Sequence, residues 1–158
     1  MKRTLALDAA QNNIDQEITL AGWVNNSRDH GGLIFIDLRD NTGLVQLTIH
    51  PEQAEAFKLA STIKDEFVIR ATGKVVKRGA DLVNKNIPTG EIEVIVSTLE
   101  ILNKSETLPF PVSHGTEEVN EELRLKYRFL DLRRPKMQDR LKRRDDFNIW
   151  IRNYMNKH

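Results

Sequence analysis

The chain has 158 residues, of which 39% are hydrophobic and 30% charged, and its formal net charge is +1. This is an ordinary composition for a globular domain. No apolar run approaches the roughly 18 residues that a membrane span needs, and the N-terminus lacks the apolar segment of a signal peptide. Cysteine is absent, which excludes disulfides and thiolate metal sites, and we expect a cytoplasmic protein.

Three β-strands are predicted after residues 1–14, a segment that could form a short helix. Apolar and polar residues alternate over residues 18–26, 33–39 and 44–49. Two turns rich in Gly, Asp and Asn separate the strands, at residues 29–32 and 40–43, a pattern typical of an antiparallel meander. Gly22 in the middle of the first strand indicates the bend or bulge that a small closed barrel needs.

A helix and two further strands follow. Pro51 and Glu52 open the predicted helix, over residues 51–64, and an apolar stripe follows at helical spacing. Strands are predicted over residues 67–76 and 91–103, the second with a break near Ser97. Three strands, a helix and two strands is the order of the OB-fold, a five-stranded Greek-key barrel that binds single-stranded nucleic acid. We therefore predict a mainly β protein containing this barrel.

The composition changes after the fifth strand. Residues 105–122 are rich in Pro and Glu, which predicts an interdomain linker. Residues 124–144 contain ten Lys or Arg and two Asp, a block that favours either phosphate contact or a solvated helix face with a hinge. A helix is predicted from Pro135 to about the last residue. Nothing in the sequence covers its apolar stripe, so we expect a truncated chain or an isolated domain.

Three separated blocks carry a family resemblance: GWVNNSRDHGGLIFIDLRDNTGLVQ (22–46), TGEIEV (89–94) and RLKYRFLDLRRPKMQ (124–138). In this order they resemble the N-terminal anticodon-binding domain of bacterial-type aspartyl-tRNA synthetases, which are class II enzymes, and the likeness covers essentially the whole chain. The resemblance implies an OB-fold anticodon-binding domain over residues 1–104 and a linker or hinge over 105–135. Residues 136–158 would then be the first helix of a catalytic domain that is absent.

The resemblance also implies the reaction of the full-length enzyme, which with ATP and magnesium attaches aspartate to tRNA(Asp). We expect these 158 residues to recognise the anticodon, to hold no catalytic residue, metal or cofactor, and to be monomeric, whereas the full-length enzyme would be a homodimer. The four histidines include no pair at metal-ligand spacing. Two alternatives stay open: a free-standing OB module for single-stranded nucleic acid, and the related asparaginyl- or lysyl-tRNA synthetase domain.

Phe35 is the sharpest candidate for a nucleic-acid contact. From the residue pattern alone it could pack in the core, as strand phenylalanines often do, or expose its ring for a base to stack on. The resemblance favours the second reading, because this position matches the aromatic residue that stacks on the middle anticodon base in the family.

Three polar residues are candidate base readers. Gln46 is either an ordinary outward-facing strand residue or an amide that reads a uracil edge, since an amide both donates and accepts. Arg28 is either a solvated loop residue or, as the resemblance implies, a contact to the same base and its phosphate. Glu93 is either an exposed strand residue or an acceptor for the ring N–H and amino group of guanine.

The remaining candidates lie in turns and loops. Lys77, Arg78 and Lys85 lie between the fourth and fifth strands, and we expect them to bind phosphates of the tRNA backbone. His30 and Leu82 stand at positions where the same residues recur in family members that do not separate tRNA(Asp) from tRNA(Asn), whose anticodons differ in the third base. Relaxed tRNA specificity is therefore a hypothesis of the resemblance.

Overall fold

The structure is a computed structural model that describes residues 3–12, 14–113 and 119–157, with the backbone only at residues 10–12. The chain divides into two compact units, Met1–Glu106 and Thr107–His158, each of which is described by itself. Among the described residues, no helix has the length and apolar character needed to cross a membrane.

The first unit is a closed five-stranded barrel. Its elements are α1 (Ala6–Asn12), β1 (Glu17–His30), β2 (Leu33–Arg39), β3 (Leu44–Ile49), α2 (Ala54–Ala60), β4 (Val68–Lys77), a 3₁₀ turn (Ala80–Leu82) and β5 (Ile92–Asn103). The strand order is β1-β2-β3-β5-β4, and every pairing is antiparallel except the parallel pairing of β3 with β5. The predicted OB-fold, with its helix between the third and fourth strands, is confirmed.

Close approach of neighbouring strands explains two glycines. A Cβ on Gly22 would overlap the carbonyl oxygen of Arg39, and a Cβ on Gly73 would overlap that of Ile95. Beside Gly73 the β4–β5 register skips Ser97, whose hydroxyl donates to the Thr72 carbonyl at 3.0 Å. The break predicted near Ser97 is thus a β-bulge within a continuous strand, and such bulges bend a sheet toward closure.

Two predicted boundaries are wrong. The first turn contains only Gly31 and Gly32, at φ +63° and +90°, because two consecutive positive-φ residues form a two-residue hairpin turn that lets the strands pair up to His30. The helix predicted over residues 51–64 runs only from Ala54 to Ala60. Pro51 lies in a preceding turn closed by the hydrogen bond from the Gln53 amide to the His50 carbonyl at 3.1 Å.

The barrel interior is filled by alternate residues of the five strands. In β2 the buried residues are Ile34, Ile36 and Leu38, and in β3 the side chains of Val45 and Leu47 are fully buried. Because successive strand residues face opposite sides, the odd-numbered residues of β2 and the even-numbered residues near the start of β3 lie on the outer face. That outer face carries the polar and aromatic residues considered below.

Asp40, in the turn between β2 and β3, attaches α1 to the barrel. Its carboxylate accepts hydrogen bonds from the Ala6 amide at 2.8 Å, the Thr42 hydroxyl at 2.6 Å and the Thr42 amide at 2.8 Å. Burial by itself raises the pKa of Asp40, but these bonds and one from the Gly43 amide outweigh it, so the pKa of this carboxyl lies below its usual value.

The lowered pKa of Asp40 makes barrel stability depend on pH. A folded-state pKa below the unfolded one stabilises the protein above the ordinary aspartate pKa of about 4, and this contribution is lost as the pH falls through the folded value. We expect Asp40→Asn to be less stable than the original chain at pH 7 by ~1–2 kcal/mol, with a difference that shrinks toward pH 3. Urea unfolding across that pH range measures this, and a pH-independent difference would contradict it.

The second unit is helical. It contains α3 (Glu121–Lys126), α4 (Arg128–Asp131) and α5 (Pro135–Lys157), with a small core of Phe110, Val112 and Leu130. Asp131 is fully buried and pairs with Arg128 at 2.7 Å and Arg134 at 2.9 Å. Part of the basic block therefore has a structural role rather than forming only a solvated face.

The C-terminal helix α5 exposes aromatic side chains along one face. Phe147 stacks on Trp150 with ring centroids 6.3 Å apart, and Trp150 stacks on Tyr154 at 5.8 Å. All three rings are more than half exposed. The predicted apolar stripe of this helix is therefore present on its surface.

Candidate nucleic-acid interface

Strands β1, β2 and β3 place the candidate residues in adjacent rows on the outer face of the barrel. Arg28 of β1 lies opposite Phe35 of β2, which lies opposite Thr48 of β3. In the neighbouring row Asp37 of β2 lies opposite Gln46 of β3. Strand β5, which runs parallel beside β3, adds Glu93 to this face.

Residues of these rows line a pocket of about 340 Å³. Its lining contains all four residues predicted to read the anticodon, together with Arg78, His30 and Leu82. The full lining is Arg28, His30, Leu33, Phe35, Gln46, Thr48, His50, Arg78, Leu82 and Glu93. Residues from the first hairpin, the third strand and the loop before β5 thus converge on one concavity.

Phe35 lies on the outer face of β2 and is half-buried. Its ring centroid is 6.3 Å from that of His30, at an interplanar angle of 55°. The alternative that Phe35 packs in the barrel core is wrong, because Ile34 and Ile36 fill the core on either side of it. An aromatic face at a pocket wall is the surface on which nucleic-acid bases stack.

Arg28 lies within β1 and not in a loop, and an acidic neighbour holds it in place. Its Nη2 donates to both carboxylate oxygens of Asp37, at 3.2 and 3.3 Å. Because Asp37 lies on the adjacent strand, this pair directs the arginine side chain along the outer face of the barrel. The other guanidinium nitrogens are not used by this pair and can donate to a ligand.

Gln46 and Glu93 are joined by a hydrogen bond. The Gln46 Nε2 donates to the Glu93 Oε2 at 3.3 Å, and the Thr48 hydroxyl donates to the same oxygen. An ionised carboxylate only accepts, so Gln46 must turn its NH₂ group toward Glu93. The amide oxygen of Gln46 and one oxygen of Glu93 take no part in these two bonds.

Arg78 differs most from its predicted place. It follows β4 directly and is 92% buried, with its Nη1 donating to the Leu82 carbonyl at 3.3 Å. Its Nε and Nη2 are buried and have no hydrogen-bond partner among the residues that the structure describes. Leaving a buried donor unpaired costs about 1–3 kcal/mol, and both nitrogens are able to donate to an acceptor in the pocket.

The two remaining predicted residues lie outside the pocket lining. Lys77 is exposed at the end of β4, and Lys85 is exposed in the loop before β5. Four residues of this surface were missed from the sequence: Leu33, Asp37, Thr48 and His50. Within residues 3–12, 14–113 and 119–157, no group of His, Cys, Asp or Glu could hold a metal ion; His114 and His158 lie outside these residues.

The model of the tRNA anticodon-binding family, described as an OB-fold nucleic acid binding domain, matches residues 18–102. The chain belongs to this family. Its OB-fold is therefore a tRNA anticodon-binding domain, similar to part of an asparaginyl-tRNA synthetase.

Parts of three solved synthetase structures are similar to this chain. Asparaginyl-tRNA synthetase from Pyrococcus horikoshii with asparaginyl-adenylate is 26% identical with a TM-score of 0.82, over 99% of this chain and 35% of that one. Aspartyl-tRNA synthetase from Entamoeba histolytica is 19% identical with a TM-score of 0.76, over 87% and 33%. The asparaginyl enzyme of the same organism is 18% identical with a TM-score of 0.71, over 98% and 35%. The two Entamoeba matches show the fold alone, and the chain spans about a third of these proteins.

Proposed function

We propose that this anticodon-binding domain is part of a bacterial-type aspartyl-tRNA synthetase and that its pocket reads the anticodon of tRNA(Asp). The observation that carries the proposal is the convergence of Arg28, Phe35, Gln46 and Glu93 on one pocket. In this account the Phe35 ring stacks on the middle base, and Gln46 with Arg28 reads its edge. Glu93 accepts hydrogen bonds from the guanine that precedes it.

The cations around the pocket complete the account. The Nε and Nη2 of Arg78, which have no partner among the described residues, donate to an acceptor of the bound nucleotides. A phosphate oxygen is such an acceptor, and its negative charge balances the positive charge of the buried guanidinium. Lys77 and Lys85, which are exposed and lie outside the pocket lining, contact the phosphates on either side of the anticodon. Such contacts position the RNA and make binding dependent on salt.

The proposal places the chemistry in another part of a longer protein. A catalytic domain of class II would activate aspartate with ATP and magnesium and esterify the tRNA, as a homodimer. Residues 1–104 would bind the anticodon, residues 105–135 would form the hinge, and residues 136–158 would begin the catalytic domain. The exposed aromatic face of α5 supports this division, since a large apolar face is normally covered by a partner surface.

Relaxed specificity belongs to the same proposal. Leu82 lines the pocket, is 69% exposed and offers no hydrogen-bonding side-chain group, and His30, which also lines the pocket, has its ring 6.3 Å from that of Phe35. An apolar side chain distinguishes cytosine from uracil poorly, because the two bases differ in their hydrogen-bonding edges. The domain is therefore proposed to accept tRNA(Asn) as well as tRNA(Asp).

A second candidate is the anticodon-binding domain of an asparaginyl-tRNA synthetase. The observation that favours it is the match to the Pyrococcus horikoshii enzyme, at 26% identity over 99% of this chain. The barrel and the platform would serve both enzymes, so the third anticodon base distinguishes them.

The test is a titration of the chain with two anticodon stem-loops that differ only in that third base, at fixed salt. We expect the aspartate and asparagine loops to bind within about twofold of each other, because the apolar Leu82 distinguishes the two third bases poorly. A strong preference for the aspartate loop would remove relaxed specificity and keep the aspartyl assignment. A strong preference for the asparagine loop would replace it with the second candidate.

A further inference from the structure

Thr48 lies opposite Phe35 in the pocket lining and is not one of the predicted base readers. It belongs to β3 and is only 3% exposed. Its hydroxyl donates to Glu93 Oε2, the oxygen that also accepts from Gln46 Nε2 at 3.3 Å. One carboxylate oxygen is therefore shared by two donors from the neighbouring strand.

These two hydrogen bonds determine how the side chains of Glu93 and Gln46 are oriented. A glutamate carboxylate otherwise rotates broadly about its last side-chain torsion. Two donors on Oε2 hold it in one rotamer, in which Oε1 is left to accept from a base. Gln46, whose NH₂ must face the carboxylate, presents its amide oxygen to the pocket. An amide in this orientation accepts from the ring N–H of uracil, whereas a flipped amide would donate to the ring nitrogen of cytosine.

We propose that Thr48 is a positioning residue that holds Glu93 and, through the shared oxygen, orients Gln46. The inference rests on the proposed anticodon function. It predicts that the first and middle anticodon bases are read by one coupled hydrogen-bonded unit. Removing the Thr48 hydroxyl leaves the carboxylate held by Gln46 alone, so the carboxylate rotates more freely and orients the Gln46 amide less strictly.

The experiment compares Thr48→Val, which keeps the shape and removes the donor, with Thr48→Ser, which keeps the donor. Each variant is titrated with the aspartate stem-loop, a loop with the first guanine changed to adenine, and a loop with the middle uracil changed to cytosine. We expect Thr48→Val to lower the preference for guanine over adenine at the first base by ~10-fold. The preference for uracil over cytosine at the middle base should fall by ~3-fold, and both changes are on the scale of one lost hydrogen bond. Thr48→Ser should keep both preferences.

Two further readouts separate positioning from a merely structural role. A structural defect lowers affinity for all three loops in parallel, whereas loss of positioning lowers the two preferences and leaves phosphate-driven affinity in place. Glu93→Gln provides a second route to the same conclusion, because an amide presents either an acceptor or a donor and so no longer dictates which way the Gln46 amide turns. We expect Glu93→Gln to lower the preference for the middle uracil although position 93 is proposed to read the first base.

The outcomes are distinct. If the original chain prefers the aspartate loop and Thr48→Val and Glu93→Gln both keep the full uracil preference, the readers are independent and the inference is wrong. Equal loss of preference in Thr48→Val and Thr48→Ser would also overturn it, because the hydroxyl would then not be the cause. If the original chain itself prefers none of the loops, the proposed anticodon function fails instead.

Discussion

Replacing Phe35 by alanine should weaken binding of the aspartate anticodon stem-loop by about 1–3 kcal/mol, or roughly 5- to 150-fold, the usual value of one base–aromatic stack. The reason is geometric. Phe35 lies half-buried on the outer face of β2, where it forms a wall of the pocket with His30 6.3 Å away. Because its neighbours Ile34 and Ile36 supply the core, the substitution should change the free energy of unfolding little.

The matched variant is Phe35→Tyr, which keeps an aromatic face and should bind nearly as well as the original chain. Isothermal titration at fixed salt measures the affinities, and urea unfolding shows that all three proteins are folded. If Phe35→Ala and Phe35→Tyr bind the stem-loop equally, the ring does not stack on a base. A loss of affinity accompanied by an equal loss of stability would likewise contradict the account.

Replacing Glu66 by alanine should have the largest effect on stability, about 3–5 kcal/mol, because it leaves an arginine without its carboxylate in a largely buried position. Glu66 is 4% exposed, and Arg39 Nη2 donates to both of its oxygens, at 2.7 and 2.9 Å. Arg39 Nη1 also donates to Asn25 Oδ1 at 2.8 Å. The three side chains join β1, β2 and the segment before β4 at one end of the barrel.

An exposed pair in the same barrel is the matched control. Arg70 and Glu100 pair across β4 and β5 at 3.0 Å, with side chains 52% and 59% exposed. Glu100→Ala should cost at most about 0.5 kcal/mol, since solvent screens such a pair. Urea unfolding of both variants provides the comparison. Similar losses of unfolding free energy for Glu66→Ala and Glu100→Ala would mean that the buried network stabilises the barrel no more than an exposed pair does.

The barrel could be predicted from the sequence because its evidence is local. Alternation of apolar and polar residues with a period of two marks the strands, and the turns contain glycine and asparagine. The same alternation also indicates the face of β2 on which Phe35 lies. Ile34, Ile36 and Leu38 face inward together, which places an intervening residue on the outer face, although phenylalanine in a strand by itself favours burial.

The finer features of the pocket could not be predicted because they depend on non-local pairing. Glu93 meets Gln46 and Thr48 only because β5 runs parallel to β3, and 47 and 45 residues separate it from them in the chain. Arg78 stands in a polar stretch that indicates a loop, yet the 3₁₀ turn folds back so that the Leu82 carbonyl accepts from it. Burial of a charged residue by such a turn has no periodic signal in the sequence.

The most direct test of the central account is the affinity of the unmodified chain for the aspartate stem-loop and for the same stem-loop with its middle uracil changed to cytosine. Both RNAs carry the same number of phosphates, so backbone attraction cancels and the ratio reports base recognition alone. The account predicts that the change weakens binding by about tenfold, the scale of one well-placed pair of hydrogen bonds. Equal affinities would contradict it and would leave a barrel that binds single-stranded RNA without reading the anticodon.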